Sequence, residues 1–256
     1  MVDSHVHSMG FSCDSSLNIN DYISKKSKDG LRIILTEHMD LDYKKEGKFV
    51  FDPKEYFNSY NKYRKDGILL GIEIGLSKKY FQENNAIIKE NNFDCVLGSV
   101  HFMGVFDIGS NREFYDGKSK VDAYREYLNE EATLVDIYDD IDAFAHFDFV
   151  ARYSPYEDKE MYFEDFKEEI SNLFTKIISK DIILELNTKI LKTEKTITEY
   201  IKFLNLYKEL GGRYVTTGSD AHYLDNVAFN FNLAYKIIDD LGIKAVYFEN
   251  RKMKYV

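Results

Sequence analysis

Every histidine in this chain closes an apolar, strand-like run. His5 and His7 end MVDSHVH, His38 ends LRIILTEH, His101 follows FDCVLGSV, His146 follows IDAFA, and His222 follows RYVTTGSDA. Glu73, after GILLGI, and Asp220, in GSDAH, stand at the ends of their runs in the same way. Separate strands that each deliver a metal-ligand side chain at the C-terminal end build one polynuclear centre at the mouth of a barrel.

Between these runs lie longer amphipathic stretches. Strands are expected over roughly 1–7, 31–36, 67–74, 93–100, 142–147, 182–187, 213–218 and 244–248. Helices are expected near 20–29, 53–65, 78–91, 120–138, 160–180, 194–210 and 226–241. This repeated β-then-α order predicts a parallel sheet with crossover helices. Asp52-Pro53 followed by Glu55 marks a helix start, and Gly30, Gly67, Gly211 and Gly242 mark helix ends. The 256 residues fit one α/β barrel, which typically needs about 250. With 2 prolines and no Ser/Gly-rich tract, no linker is read, and residues 1–256 are expected to form a single domain. An open doubly wound sheet is the rival, but it would gather its ligands at one crevice, whereas these come from at least six strands. The segments 8–19, 39–51, 102–119 and 148–159 carry no pattern, and each follows a strand end bearing a candidate ligand, as functional loops do.

The bulk numbers exclude several classes. A net charge of −10 without a basic cluster argues against nucleic acid as a partner. Cys13 and Cys95 make no disulfide framework, and Cys95 reads as a small core residue. No apolar stretch approaches the roughly 20 residues of a membrane helix. Met1 leads straight into the first strand without a signal peptide, so the expected compartment is the cytoplasm.

Period 2 along Asp3-Ser4-His5-Val6-His7 puts Asp3, His5 and His7 on one face, where two imidazoles can share a cation. Asp220 and His222 repeat that spacing. Glu73 sits inside an apolar run, so it must be paired or metal-bound, or burial would force it neutral. Its two oxygens can bridge two cations. Mixed imidazole and carboxylate ligands suit Zn, Mn or Fe better than Mg or Ca. A water held between two such cations loses a proton near neutral pH, and the cations neutralise a phosphate as it is displaced in line. For the phosphate clamp, Arg152 stands in the loop after His146. Lys192, after Asn187-Thr188, is a second candidate. Tyr22, Phe57, Tyr60, Tyr127 and Phe166 fall at helix spacing and read as core. Phe102, Tyr115 and Tyr153 lie in loops after ligand strands, where they could pack on a flat substrate ring.

The fragments DSHVHS, TEHMD, GIEIG, FDCVLGSVHF, AHFDFVARY, LELNT and TGSDAH, in this order, resemble the PHP (polymerase and histidinol phosphatase) superfamily. TEH, GIE, GSVHF and ELNT together look most like its histidinol-phosphate phosphatase branch. The resemblance runs from residue 3 to about 222. It implies a distorted (β/α)7 barrel with two to three divalent metals. His5, His7, Glu73 and Asp220 would hold the first, Glu73 with His101 and His146 the second, and His38 and His222 the third. The superfamily usually supplies a further ligand, often histidine, from the loop after the His pair; here Asp14 is the substitute and Cys13 a thiol alternative. The implied activity is hydrolysis of L-histidinol phosphate, a step of histidine biosynthesis, by a metal-bridging hydroxide. Asp220 would manage the proton, with His222 the alternate acid. Within this frame stand other phosphoesterases of the superfamily, acting on nucleotides, phosphotyrosine or nucleic-acid ends. Outside it stand a barrel amidohydrolase, which often has a bridging lysine where this chain offers Glu73, and a non-catalytic metal-binding protein.

Overall fold

The structure, a computed structural model, describes residues 1–25 and 30–256. Its elements run β1 (Val2–Val6), α1 (Ile19–Lys25), β2 (Arg32–Met39), α2 (Pro53–Tyr60), β3 (Ile68–Gly75), α3 (Phe81–Glu90) and β4 (Val96–Ser99). A small hairpin follows, β5 (Phe102–Met103) and β6 (Phe106–Asp107), then α4 (Lys120–Ile137), β7 (Ala143–Phe144), α5 (Phe149–Tyr153) and α6 (Phe163–Ser179). The chain ends with β8 (Ile183–Asn187), α7 (Glu194–Glu209), β9 (Tyr214–Gly218), α8 (Phe231–Leu241), β10 (Lys244–Glu249) and β11 (Lys252–Tyr255).

The main sheet has the order β1-β2-β3-β4-β7-β8-β9-β10-β11. All its pairs are parallel except β10 with β11. The first seven strands close on themselves at their C-terminal ends, where Val6 bridges Ala221 and His7 N donates to Ala221 O at 2.9 Å. At the opposite end β10 pairs with the start of β9, through Lys244–Tyr214 and Ala245–Val215. The ring is therefore closed at its mouth and wedged at its base, which is the expected distorted seven-stranded barrel.

Strand alternation sorts the apolar side chains into two layers. On β2, Ile34 points into the barrel, where it meets Leu69, Cys95, Leu97 and Ile183, and Val246 and Phe248 of β10 plug the base. Ile33 and Leu35 point outward into the larger layer beneath the helices. Helix α6 buries Phe166, Ile170, Leu173, Phe174 and Ile177, the three-and-four spacing of one helix face. At α2, Asp52 caps Lys54 N with Pro53 in the first turn, and the following 3-10 turn ends at Gly67 in the left-handed region, φ 81°.

Several boundaries differ from the expectation. The run 20–29 is a helix to Lys25, and its remainder lies outside the described residues. The run 53–65 splits into α2 and a 3-10 turn at Asn61–Asp66. Helix α8 begins at Phe231 instead of 226, after a 3-10 turn at Leu224–Asn226. The segment 148–159 contains helix α5, anchored by buried Val150 and Ala151. Strand β11 was not expected; its sequence Lys252-Met253-Lys254-Tyr255 is short, and all four residues are exposed. Among the described residues, no helix is long and apolar enough to cross a membrane.

Candidate metal centre

The strand-end residues converge at the closed mouth. The approach of β1 to this point depends on a bulge. Asp3 pairs with Ile33 and Val6 with Leu35, so β1 spends one more residue than β2 between the two pairs. This corrects the period-2 reading. Asp3 turns away from the two histidines, and its oxygens accept from Ser219 N and Oγ at 2.9 and 2.5 Å and from Ala228 N at 2.8 Å. His5 and His7 remain together, ring centroids 5.0 Å apart. Two other elements of the mouth also leave regular backbone. His146 (φ 24°) and Asp220 (φ 52°) occupy the left-handed region, a strain of about 1–3 kcal/mol each that persists only where the surroundings fix it.

Glu73 is the hub. Its Oε1 lies 2.9 Å from His146 Nε2, 3.4 Å from both His5 Nε2 and His101 Nε2, and accepts from Ser99 Oγ at 2.6 Å. Its Oε2 lies 2.7 Å from His38 Nδ1 and 3.6 Å from His7 Nε2. Asp220 Oδ1 faces His7 Nε2 at 3.5 Å, His222 Nδ1 at 3.6 Å and His5 Nε2 at 3.9 Å. Asp14 reaches His222 Nε2 at 3.0 Å and His38 Nε2 at 3.7 Å. All nine expected metal ligands thus come together. Cys13 is exposed and belongs to none of the ligand groups.

These residues fit divalent cations. Nε2 of His5 and of His7 and Oε2 of Glu73 are buried with no hydrogen-bond partner, an arrangement costly in a protein interior unless something else satisfies them. Five three-residue groups bring their ligand atoms within 4.8 Å of one another: His5-His7-Glu73, His5-His146-Asp220, Glu73-His101-His146, His7-His38-His222 and His38-Asp40-His101. The electrostatics agree. Burial alone would raise the Glu73 carboxyl, but His5, His38 and His101 hold it well below the usual range. Burial works against the charge on His5 and His38, yet the surrounding carboxylates raise both well above an ordinary imidazole. Burial also opposes the charge on His101, which Asp40 and Glu73 push up to about 10. Burial lowers His7 and His146, helped at His7 by the neighbouring His38 and His222 and at His146 by Arg152. The carboxylates call for positive charge, which a bound cation would supply in place of imidazole protons.

A second layer orients the imidazoles, and sequence reasoning missed it. Glu185 Oε1 lies 2.8 Å from His5 Nδ1, while its Oε2 accepts from His146 N and Asn187 Nδ2. The approach requires Gly218, where a Cβ would fall 2.2 Å from Glu185 Oε1 and 2.5 Å from His5 Cβ. Asp40 Oδ1 lies 2.9 Å from His101 Nδ1. Such carboxylates fix which ring nitrogen is free for a metal. Glu185 carried the same signal as Glu73, a carboxylate inside an apolar run.

A cavity of about 440 Å³ opens over the cluster. Arg152 is not among the residues that line it, but it contacts Asp220, which is. The guanidinium is forked on Asp148, at 3.2 and 3.1 Å, and Nη1 donates to Asp220 Oδ2 at 3.1 Å. The second cation differs from the expectation. Lys192 is exposed and does not line the cavity; the 3-10 turn after β8 instead sends Lys189 inward, with Nζ 3.0 Å from Asp220 Oδ2. Of the loop aromatics, Tyr153 lines the cavity, whereas Phe102 and Tyr115 do not. Tyr115 is buried, its hydroxyl donating to Val150 O. The missed aromatic lining is Tyr43, Phe49 and Phe149. Tyr22, Tyr60, Tyr127 and Phe166 are core as expected, and Phe57 packs against it partly buried.

The chain is similar to proteins of known name and structure. The PHP domain family matches residues 3–189. A probable histidinol-phosphatase of Clostridium acetobutylicum is 38% identical over 255 residues, covering 100% of this chain and 99% of the relative. The histidinol-phosphatase of Lactococcus lactis subsp. lactis is 33% identical over 247 residues, covering 94% and 91%. A crystal structure of histidinol phosphate phosphatase from Lactococcus lactis subsp. lactis, in complex with zinc, L-histidinol and phosphate, superimposes with a TM-score of 0.91. It is 31% identical, and the match covers 99% of this chain and 98% of that one.

Proposed function

The chain belongs to the PHP domain family, and from that membership we propose that it is a metal-dependent phosphomonoesterase that hydrolyses L-histidinol phosphate to L-histidinol and phosphate. The observation that carries this reading is Glu73 at the centre of five imidazoles, under a cavity lined by Lys189 and by Asp220, which Arg152 contacts from behind. Support for the substrate comes from relatives of essentially full length that bear the name, and from the neighbouring structure with L-histidinol and phosphate bound.

Two to three divalent transition metals, Zn, Mn or Fe, fit the ligands. His5, His7, Glu73 and Asp220 would hold the first, Glu73, His101 and His146 the second, and His38, His222 and Asp14 the third. Bound there, the cations supply Lewis acidity that offsets the phosphate charge and acidifies the attacking water. The chain's own groups do the rest. Arg152 Nη1 and Lys189 Nζ bind the phosphate oxygens, which compete with Asp220 Oδ2 for both. Asp220 takes the proton of the attacking water at Oδ1, and His222 is the alternate acid toward the leaving alkoxide where it is not held by a metal. The walls of Phe49, Phe149 and Tyr153 keep bulk water from the reacting phosphorus.

A phosphate-release screen of metal-loaded protein tests the reading, with L-histidinol phosphate, nucleoside monophosphates and phosphotyrosine as substrates. L-histidinol phosphate is expected to have the highest kcat/KM. A nucleotide or phosphotyrosine preferred by tenfold or more would move the protein to another phosphoesterase activity.

A further inference from the structure

L-histidinol phosphate carries an ammonium group that needs an anionic partner. The cavity is lined by four carboxylates, Asp14, Asp40, Asp107 and Asp220. Three are committed to the cluster: Asp14 to His222 and His38, Asp40 to His101, and Asp220 to Arg152 and Lys189. Asp107 faces no imidazole, lysine or arginine in any ion pair of the described residues.

Its setting is that of a prepared acceptor. Asp107 ends the β5–β6 hairpin, paired with Phe102, and Ile108 N donates to His101 O at 2.9 Å, so the carboxylate is tied to the strand end that bears His101. The Tyr43 hydroxyl and Ser110 Oγ donate to its Oδ2, and Gly109 N donates to Oδ1 at 2.8 Å. Two lone pairs of Oδ2 are thereby used and one of Oδ1, which leaves one acceptor position on a carboxylate already fixed in orientation. An aromatic wall connects it to the cluster. The Phe49 ring stands 5.3 Å from His38 and 4.8 Å from Tyr43, and Tyr43 ends on Asp107. A ligand whose phosphate sits on Arg152 and Lys189 would lay its ring and carbon chain along this wall.

From this arrangement we infer that Asp107 binds the substrate ammonium and so selects an amino-alcohol phosphate over an ester without the amine. The inference rests on the proposed histidinol-phosphatase activity and deepens it. Asp107 touches no reacting atom; it determines specificity.

The test uses the full-length, metal-loaded protein with two substrates, L-histidinol phosphate and 3-(imidazol-4-yl)propyl phosphate, which lacks only the amine. The quantity read is the ratio of their kcat/KM values. Asp107→Asn is expected to lower that ratio about 10- to 100-fold, chiefly through KM for the amine substrate, as loss of one charge-assisted hydrogen bond does. Tyr43→Phe, which removes one of the two hydroxyls fixing Oδ2, is expected to lower it about 3-fold or more, and it keeps the inference testable should Asp107→Asn not fold. An unchanged ratio in the variants, or an equal loss on both substrates, overturns the inference while the parent activity on L-histidinol phosphate still stands. A parent protein inactive on L-histidinol phosphate but active on other esters overturns the activity itself, and the inference with it.

Discussion

Nδ1 of His5 lies 2.8 Å from Oε1 of Glu185, and neither side chain touches solvent. The contact keeps the His5 proton on Nδ1 and turns Nε2, which has no partner, toward Glu73 and Asp220. Removing the charge while keeping the shape, in Glu185→Gln, is expected to weaken metal binding about 10- to 100-fold without unfolding the protein. Competition with a chromophoric chelator measures it. Parent-like affinity in the variant would mean that Glu185 is only a satisfied core carboxylate.

Glu73 touches five imidazoles, whereas His38 stands at the edge of the cluster beside Asp14. Glu73→Gln is therefore expected to lose most of the bound metal and nearly all turnover. His38→Asn is expected to lose at most one metal equivalent and to retain measurable kcat. Elemental analysis alongside phosphate release compares the two. Near-normal metal and turnover in Glu73→Gln would remove its bridging role.

Arg152 and Lys189 both contact Asp220 Oδ2, Lys189 from within the cavity, and Lys192 does not. Arg152→Met and Lys189→Met are each expected to lower kcat/KM for phosphate esters about 10- to 100-fold. Arg152→Lys should recover only part, because a lysine lacks the planar fork that Asp148 also holds. Lys192→Met is expected to stay within about twofold, as exposed charges do. A crippled Lys192→Met with a healthy Lys189→Met would reverse the assignment.

Eight of the nine candidate ligands were legible because each interrupts or ends an apolar run and the mark recurs at so many strand ends; Asp14 carries no such mark and rested on the resemblance. What the sequence concealed depends on local geometry or distant partners. The Ser4-His5 bulge that parts Asp3 from the histidines leaves no compositional mark. Glu185 acts on a histidine 180 residues away, so its role is invisible without the barrel. Lys189 stands inside the one-turn 3-10 helix Thr188–Ile190 and Lys192 just past its cap, a difference the sequence does not mark. Helix α5 escaped because five residues are too few for a periodic signal.

Glu131 in α4 gives a prediction independent of the metal centre. Its side chain is fully buried without a hydrogen bond of good geometry. Burial raises its carboxyl well above the usual range; nearby Tyr127 offsets part of that and Asp148 adds to it. The folded chain thus holds a proton that the unfolded chain releases near pH 4.3. Its contribution is complete below that value and is lost as pH rises toward the folded-state value. The Tm gain of Glu131→Gln over the parent is expected to grow with pH above about 4.3. Identical pH slopes for parent and variant would show that Glu131 is ionised in the folded state.

The most direct measurement is a titration of chelator-stripped protein with Zn²⁺ or Mn²⁺, followed by phosphate release from L-histidinol phosphate. The stripped protein is expected to be inactive, and activity to rise and level off at two to three equivalents per chain. Full turnover by the stripped protein, or no activity on L-histidinol phosphate at any metal loading, would contradict the metal-dependent histidinol-phosphatase reading.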